Sequence, residues 1–411
     1  MSISRVKNLY THLITHRLHH LNGWLAHYRT FTGEIEQIRQ ALQNGAHIRE
    51  PAIYSQKGAK GFTCWEQLVA MLFCQLAQAR SLREIVGGLQ CCEGKLKHLG
   101  VESAPRRSTL AYANAQRPWK LFEGLFYHLL EVCREVAPGK KFRFKNKLLS
   151  LDSTVIELCA TMFDWARYGQ TKGAVKLHLL LDHDGYLPSY ALLTDGAMAD
   201  VSVAQQLALP KGSVVVLDRG YIDYLLFERW CGEEVFFVTR LKENASYIVT
   251  ERRPVPVHGP ILADELIVFQ AFHAGRKVVH TYRRVEVWLP DKKETLVLLT
   301  NHLDFGPTTI AAIYKDRWQI ELFFKALKQN LKVKTFVGTS ANAVHLQIWT
   351  ALIAMLLLKY LQFRATLAWS LSNLVALLRW NLFTYRDLWT WINQPFTTPP
   401  EGPPDAQLSF I

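Results

Sequence analysis

The sequence predicts an α/β protein: a mixed five-stranded sheet flanked by helices, with a β-rich insertion ahead of a late helix and an all-helical N-terminal domain. Three observations carry that prediction. Residues 148–240 run in the order β-β-β-α-β-α-β, which builds a mixed sheet with helices packed on it. Residues 241–305 hold four more strand-like runs, with Pro254, Pro256, Pro260 and Pro290 between them. The N-terminal third shows helical patterning without strand-like alternation. The division that follows is 1–140, 141–240, 241–305, 306–394 and a Pro-rich tail at 395–411.

In the first segment, Cys64 to Ala79 is mostly apolar, and Ser81 with Glu84 at the capping-box position starts a further helix. Arg106, Arg107, Ser108 and Thr109 lead into a helical stretch reaching Val136. Gly87-Gly88 and Gly100 between short helices suit a helix-turn-helix, and a plain helical bundle fits the same pattern. Ala137-Pro138-Gly139 is a break. After it Lys140, Lys141, Arg143, Lys145 and Lys147 alternate with Phe142 and Phe144, as a solvated linker, a strand edge or an arm along a nucleic-acid backbone would.

Strands are expected at 148–158, 174–181, 187–193, 213–217 and 234–239, with helices at 201–209 and 221–231. His183-Asp184-Gly185 turns the second strand into the third. This order places the first strand centrally, beside the fourth. The insertion strands are 247–249, 265–272, 278–289 and 295–299. Helix resumes at about Thr308, where Pro307 suits a helix start, and continues Trp-rich to Ile392. The tail, with Pro399, Pro400, Pro403 and Pro404, is expected to be disordered.

Charge is unevenly placed. Residues 1–150 hold 22 Lys and Arg against 10 Glu and no Asp, while the remainder is almost balanced, within a net charge of +13. A basic front third on a near-neutral body suggests a polyanion-binding module; a solubility bias reads the same way from charge alone. The longest apolar run, Leu346 to Leu358, has 13 residues, whereas a spanning helix needs about 20, so no membrane partner is expected. Arg5, Lys7, His12, His16, Arg17, His19 and His20 interrupt any signal-type core. Seven cysteines without C-x-x-C spacing read as reduced residues of a cytoplasmic protein. His12, His16 and His20 have i, i+4 spacing that could hold a metal, but no carboxylate or Cys accompanies them, and a solvated basic helix is the better reading.

Three carboxylates stand out. Asp152 ends the first strand in Leu151-Asp152-Ser153-Thr154, and Asp218 ends the fourth in Val216-Leu217-Asp218-Arg219-Gly220-Tyr221. Adjacent strands put them side by side, where two charges repel unless cations remove the cost. The bland alternative is that strand-end Asp residues cap turns. Glu321 lies on the helix after the insertion. At about 100° per residue, Tyr314, Arg317, Glu321 and Lys328 fall within a roughly 60° arc. Ile313, Ile320, Phe323, Phe324 and Leu327 form the buried face. One acid in a row of cations and a phenol suits a metal ligand flanked by phosphate-binding groups; an ordinary solvated face with an i, i+4 Arg–Glu pair is the alternative. Asp182, Asp184, Asp195 and Asp200 read as turn or cap residues, and Lys176 and His178 share one strand face beside the first strand.

The spacing Tyr314-x2-Arg317-x3-Glu321-x6-Lys328 resembles the Tyr-Arg-Glu-Lys signature of DDE transposases of bacterial insertion sequences, in the insertion-sequence-four family. Asp152-Ser153-Thr154, Lys176-Leu177-His178 and Asp218-Arg219-Gly220-Tyr221 resemble its other blocks in order, Trp318 also fits, and the resemblance covers about residues 148–365. It implies an RNase H-like core with Asp152, Asp218 and Glu321 holding two Mg²⁺ ions, for which Mn²⁺ can substitute. Tyr314, Arg317 and Lys328 would position phosphates. An aromatic of the insertion would stack on a flipped base, and Trp288 is the candidate, with sheet packing as its alternative role. The implied activity is cleavage and strand transfer at terminal inverted repeats in double-stranded DNA, by a homodimer bridging two ends, in the bacterial cytoplasm at the nucleoid. A catalytically silent DNA-binding descendant and a stand-alone nuclease of the same core are the rival readings.

Overall fold

The computed structural model describes residues 61–92, 95–139, 141–166, 172–273, 276–382 and 387–396. The His12, His16 and His20 cluster and the chain beyond 396 lie outside the described residues. The helical part comprises α1 (Cys64–Ala77), α2 (Leu82–Gln90), α3 (Arg107–Gln116) and α4 (Lys120–Val136). Thr63 opens α1 with a full capping box, its hydroxyl accepting from the Glu66 N–H while the Glu66 carboxylate accepts from the Thr63 N–H. Ser81 caps α2 by accepting from the Glu84 N–H, but the Glu84 carboxylate turns to the Arg80 N–H, so the expected box is only half made. Gly87 and Gly88 lie inside α2 rather than between helices. A Cβ at Gly88 would come within 2.5 Å of Phe73, so this glycine lets α1 and α2 approach. The stretch to Val136 is split because Arg117, ahead of Pro118, is extended.

Nine strands form one sheet in the order β3-β2-β1-β4-β5-β9-β8-β7-β6. They are β1 (Leu148–Cys159), β2 (Lys172–Asp182), β3 (Leu187–Asp195), β4 (Val214–Leu217), β5 (Phe236–Arg240), β6 (Tyr247–Arg252), β7 (Ile261–His273), β8 (Arg276–Leu289) and β9 (Glu294–Thr300). β1, β4 and β5 are parallel, and β2 and β3 add antiparallel to β1. The first five strands therefore take the expected order with β1 central. The insertion does not stand apart from them: β9 pairs antiparallel with β5, and β8, β7 and β6 continue the ladder. All four residues of β4 are buried, as a Val-rich parallel strand covered on both faces should be.

The remaining helices are α5 (Asp200–Ala204), α6 (Tyr224–Gly232), α7 (Pro307–Asp316), α8 (Trp318–Asn330), α9 (Ala341–Arg364), α10 (Leu371–Asn381) and α11 (Leu388–Asn393). Pro307 is the first residue of α7. The single helix expected across 314–328 is broken: the Arg317 N–H donates to the Tyr314 carbonyl in an i→i−3 bond, and α8 starts anew. Phe142 and Phe144 pack into the core with Phe305, so the basic run is anchored by its aromatics rather than wholly solvated.

One core joins α1, α2 and α4 to the apolar sides of β1, β2, α8 and α9, through residues such as Trp65, Phe122, Ile156, Leu177, Phe323 and Trp349. The 24-residue α9 is, among the described residues, the one helix long and apolar enough to cross a membrane, contrary to the 13-residue run read from the sequence. Its most apolar window is 78% buried inside the protein, so its hydrophobicity serves this core.

Candidate active site

The last parallel pair between β1 and β4 is Leu151 with Leu217. Asp152 is the next residue of β1, Asp218 directly follows the end of β4, and adjacent strands lie about 4.8 Å apart. β1 is fully buried up to Leu151 and becomes half-exposed from Asp152 to Thr154, which puts this carboxylate at the mouth of the sheet. Asp218 caps a short 3₁₀ turn, accepting from the Arg219 N–H at 2.7 Å. Asp152 accepts from the Ser153 N–H at 2.8 Å.

Glu321 arrives in the first turn of α8, which is seated on the sheet by Ile320, Phe323, Phe324 and Leu327, all buried as expected. Arg317 joins the two chain segments. Its Nη2 lies 2.5 Å from Glu321 Oε1 and its Nη1 lies 3.4 Å from Asp152 Oδ2. Burial pushes the Asp152 carboxyl up to about 6. The Ser153 N–H and Arg317 pull it down, and the charges of Glu321 and Asp218 push it further up. Asp152 and Glu321 thus share one guanidinium, and Asp152 senses the charges of both other acids.

Among the described residues, no three Asp, Glu, His or Cys side chains stand close enough together to ligate a metal as they are. The donor chemistry nevertheless fits a hard divalent cation: three carboxylates, all oxygen donors, with a positive charge already among them.

Tyr314 lies beside Arg317 as expected but is buried, in the same core as Val216 and Val238, and burial raises its hydroxyl pKa against the opposing charge of Arg317. The Arg317 guanidinium lies 5.8 Å from that ring, a cation–π contact. Lys328 donates from Nζ to the Val155 carbonyl at 2.8 Å, tying α8 to the outer part of β1. Trp318 is exposed beside Arg317. Trp288 lies on β8 opposite Thr295 and is 39% exposed, on the insertion rather than among the acids.

Asp200 is the residue the sequence undersold. Asp184 does sit in a turn, and Asp182 and Asp195, the last residues of β2 and β3, cap turns by accepting from the Asp184 and Met198 N–H groups. Asp200, however, accepts from the Ser153 hydroxyl at 2.7 Å and lies 3.3 Å from Lys176 Nζ and 3.5 Å from His178 Nδ1. His178 is fully buried, which lowers its pKa to about 4. The Tyr221 hydroxyl pKa is raised by burial and by the nearby charges of Asp200, Asp152 and Asp218. The alternation of Lys176 and His178 was the available signal; their common partner, on a distant helix, left no local pattern.

Two strand-end aspartates and a helix-borne glutamate, with an arginine between two of them, thus lie at one end of a mixed sheet, and comparison with known proteins gives the chain its family. The transposase DDE domain model matches residues 143–357, and a domain of unknown function, DUF4372, matches residues 53–102. A Sinorhizobium fredii protein named as transposase y4zB is 33% identical over 259 residues, covering 62% of this chain and 71% of its own. A Geobacillus stearothermophilus protein named as a transposase for insertion sequence element IS5377 is 28% identical over 255 residues, with 62% and 67% covered. The piggyBac transposase synaptic complex with hairpin DNA aligns at a TM-score of 0.42 and 11% identity, over 91% of this chain and 82% of that one. The chain belongs to the transposase DDE domain family. It is a DNA-binding transposase, and its family's chemistry is divalent-metal-dependent breakage and joining of DNA strands.

Proposed function

We propose that Asp152, Asp218 and Glu321 are the metal ligands of a cut-and-paste transposase acting at the terminal inverted repeats of its own element. The observation that carries this is the Arg317 bridge: one cation already ties the acid of β1 to the acid of α8, while the strand register brings Asp218 alongside. Two Mg²⁺ ions, or Mn²⁺ in their place, would favour the deprotonated form of an attacking hydroxyl or water and stabilise negative charge on the leaving oxygen of a phosphodiester.

The chain's own residues supply the rest. Arg317, once released from Asp152, has a free fork for a phosphate and stays oriented by Glu321 and the Tyr314 ring. Lys328 offers a point charge further along α8. Trp288 is the proposed stacking surface for a displaced base, supported by its exposure on the insertion. A homodimer bridging two ends and a cytoplasmic, nucleoid-associated location complete the reading. A silent DNA-binding descendant and a stand-alone nuclease are not favoured, because the matched family and the similar proteins are transposases.

The test is a supercoiled plasmid carrying the element ends, incubated with protein and Mg²⁺. Wild type is expected to cleave at the ends, and Asp152→Asn, Asp218→Asn and Glu321→Gln to bind ends without cleaving. Cleavage retained by all three variants would overturn the assignment.

A further inference from the structure

We infer that Ser150, His183 and Asp316 form a buried positioning link that sets the helix carrying Glu321 against the strand carrying Asp152. The inference rests on the metal-ligand reading above. The Ser150 Oγ lies 2.7 Å from His183 Nε2, and His183 Nδ1 lies 2.7 Å from Asp316 Oδ2. Asp316 Oδ1 accepts from Lys141 Nζ at 2.5 Å, and the Tyr186 hydroxyl donates to Oδ2, the oxygen facing His183, at 3.1 Å. Serine, histidine and aspartate in that sequence look like a hydrolase triad. Here Ser150 is wholly buried, and His183 and Asp316 are 4% and 5% exposed, so no substrate reaches the hydroxyl.

What the three residues connect explains them better. Ser150 lies two residues before Asp152, on the same face of β1. His183 stands in the β2–β3 turn, fixed there by its N–H donating to the Leu148 carbonyl. Asp316 is the last residue of α7, and Arg317 and then α8 follow it. Burial alone would raise the Asp316 carboxyl pKa; hydrogen bonds from His183 and Lys141 outweigh it and hold the group ionised. The break at Arg317 therefore occurs at a charge anchored to β1 through two short contacts. Arg317 and Glu321 are carried from that anchor, so its position sets how α8 meets Asp152. The link does for these acids what outer-shell partners do for metal ligands generally, whose removal costs roughly 10–100-fold in affinity or activity.

Asp316→Asn keeps the shape but removes the charge; His183→Ala cuts the link, and His183→Asn restores a donor toward Asp316. The readouts are Mn²⁺ affinity without DNA, from the electron paramagnetic resonance signal of free Mn²⁺, and end-DNA affinity by gel shift. Asp316→Asn and His183→Ala are expected to weaken Mn²⁺ binding by roughly 10–100-fold with end-DNA affinity unchanged, and His183→Asn to recover most of the loss. Ser150→Ala, the mildest cut, should shift Mn²⁺ affinity in the same direction and keeps the test decisive if a stronger variant unfolds. Asp152→Asn separates the two levels. If it binds Mn²⁺ like wild type, the metal-ligand reading itself fails. If it has lost Mn²⁺ while the folded link variants bind normally, the positioning inference is overturned.

Discussion

Replacing Asp152 by Asn should stabilise the metal-free protein while abolishing its chemistry. Burial, opposed by the Ser153 N–H and Arg317 but reinforced by Glu321 and Asp218, lifts this carboxyl from 3.8 to about 6. The native state therefore holds a proton between about pH 4 and 6 that the unfolded chain has released, and stability falls as pH rises through that window. Above it the whole penalty is present: a difference of about 2.2 pKa units, or about 3 kcal/mol at 1.36 kcal/mol per unit. Asn resembles the protonated carboxyl and escapes the penalty. In EDTA at pH 8, denaturant unfolding should show Asp152→Asn more stable than wild type by up to about 3 kcal/mol, with the gain gone at pH 4. Saturating Mn²⁺ should reverse the order, because it binds the native wild type and not the variant. A variant equally stable at pH 8, or one stabilised by the same amount at both pH values, would refute the reasoning; the second outcome would place the effect in packing rather than charge.

Two further expectations concern binding and the insertion. Lys328→Ala should weaken end binding uniformly across DNA sequences and reduce the slope of log affinity against log salt by about 1, measured by fluorescence anisotropy over a salt series. Arg283 is buried, pairs with Asp264 at 2.7 Å and donates to the carbonyls of Leu303 and Phe305. Arg283→Ala leaves Asp264 charged and buried, so urea unfolding should show a loss of about 3–5 kcal/mol, and a loss under 1 kcal/mol would discount the pair.

The central strands and the two strand-end aspartates were legible because β-β-β-α-β-α-β order leaves few topologies, and one of them makes β1 and β4 neighbours. The buried side of α8 was legible too, since helical periodicity sorts Ile320, Phe323, Phe324 and Leu327 without tertiary information. The break at Arg317 was not. Its anchor, Asp316, bonds to His183, 133 residues away in the chain, and nothing local marks that partner. Tyr314 stays beside Arg317 as the helical arc predicts, but its burial is set by the strands beneath it, which helical spacing does not report. Asp200 looked like a cap because an Asp opening a short helix has a local explanation, whereas its bond to Ser153 spans 47 residues. Nor does any local pattern say that β9 will pair with β5, since an edge accepts whichever strand the rest of the chain delivers.

That last pairing has a mechanical consequence. The outboard strands are cantilevered from the same ladder that ends in Asp218, so a push on Trp288 travels through β8, β9 and β5 before reaching β4. Excising the insertion would strip β5 of its neighbour and leave a raw hydrogen-bonding edge on the strand next to β4, which leads into Asp218. On the proposed function, a load that DNA placed on that outer beam would reach the three acids through backbone hydrogen bonds.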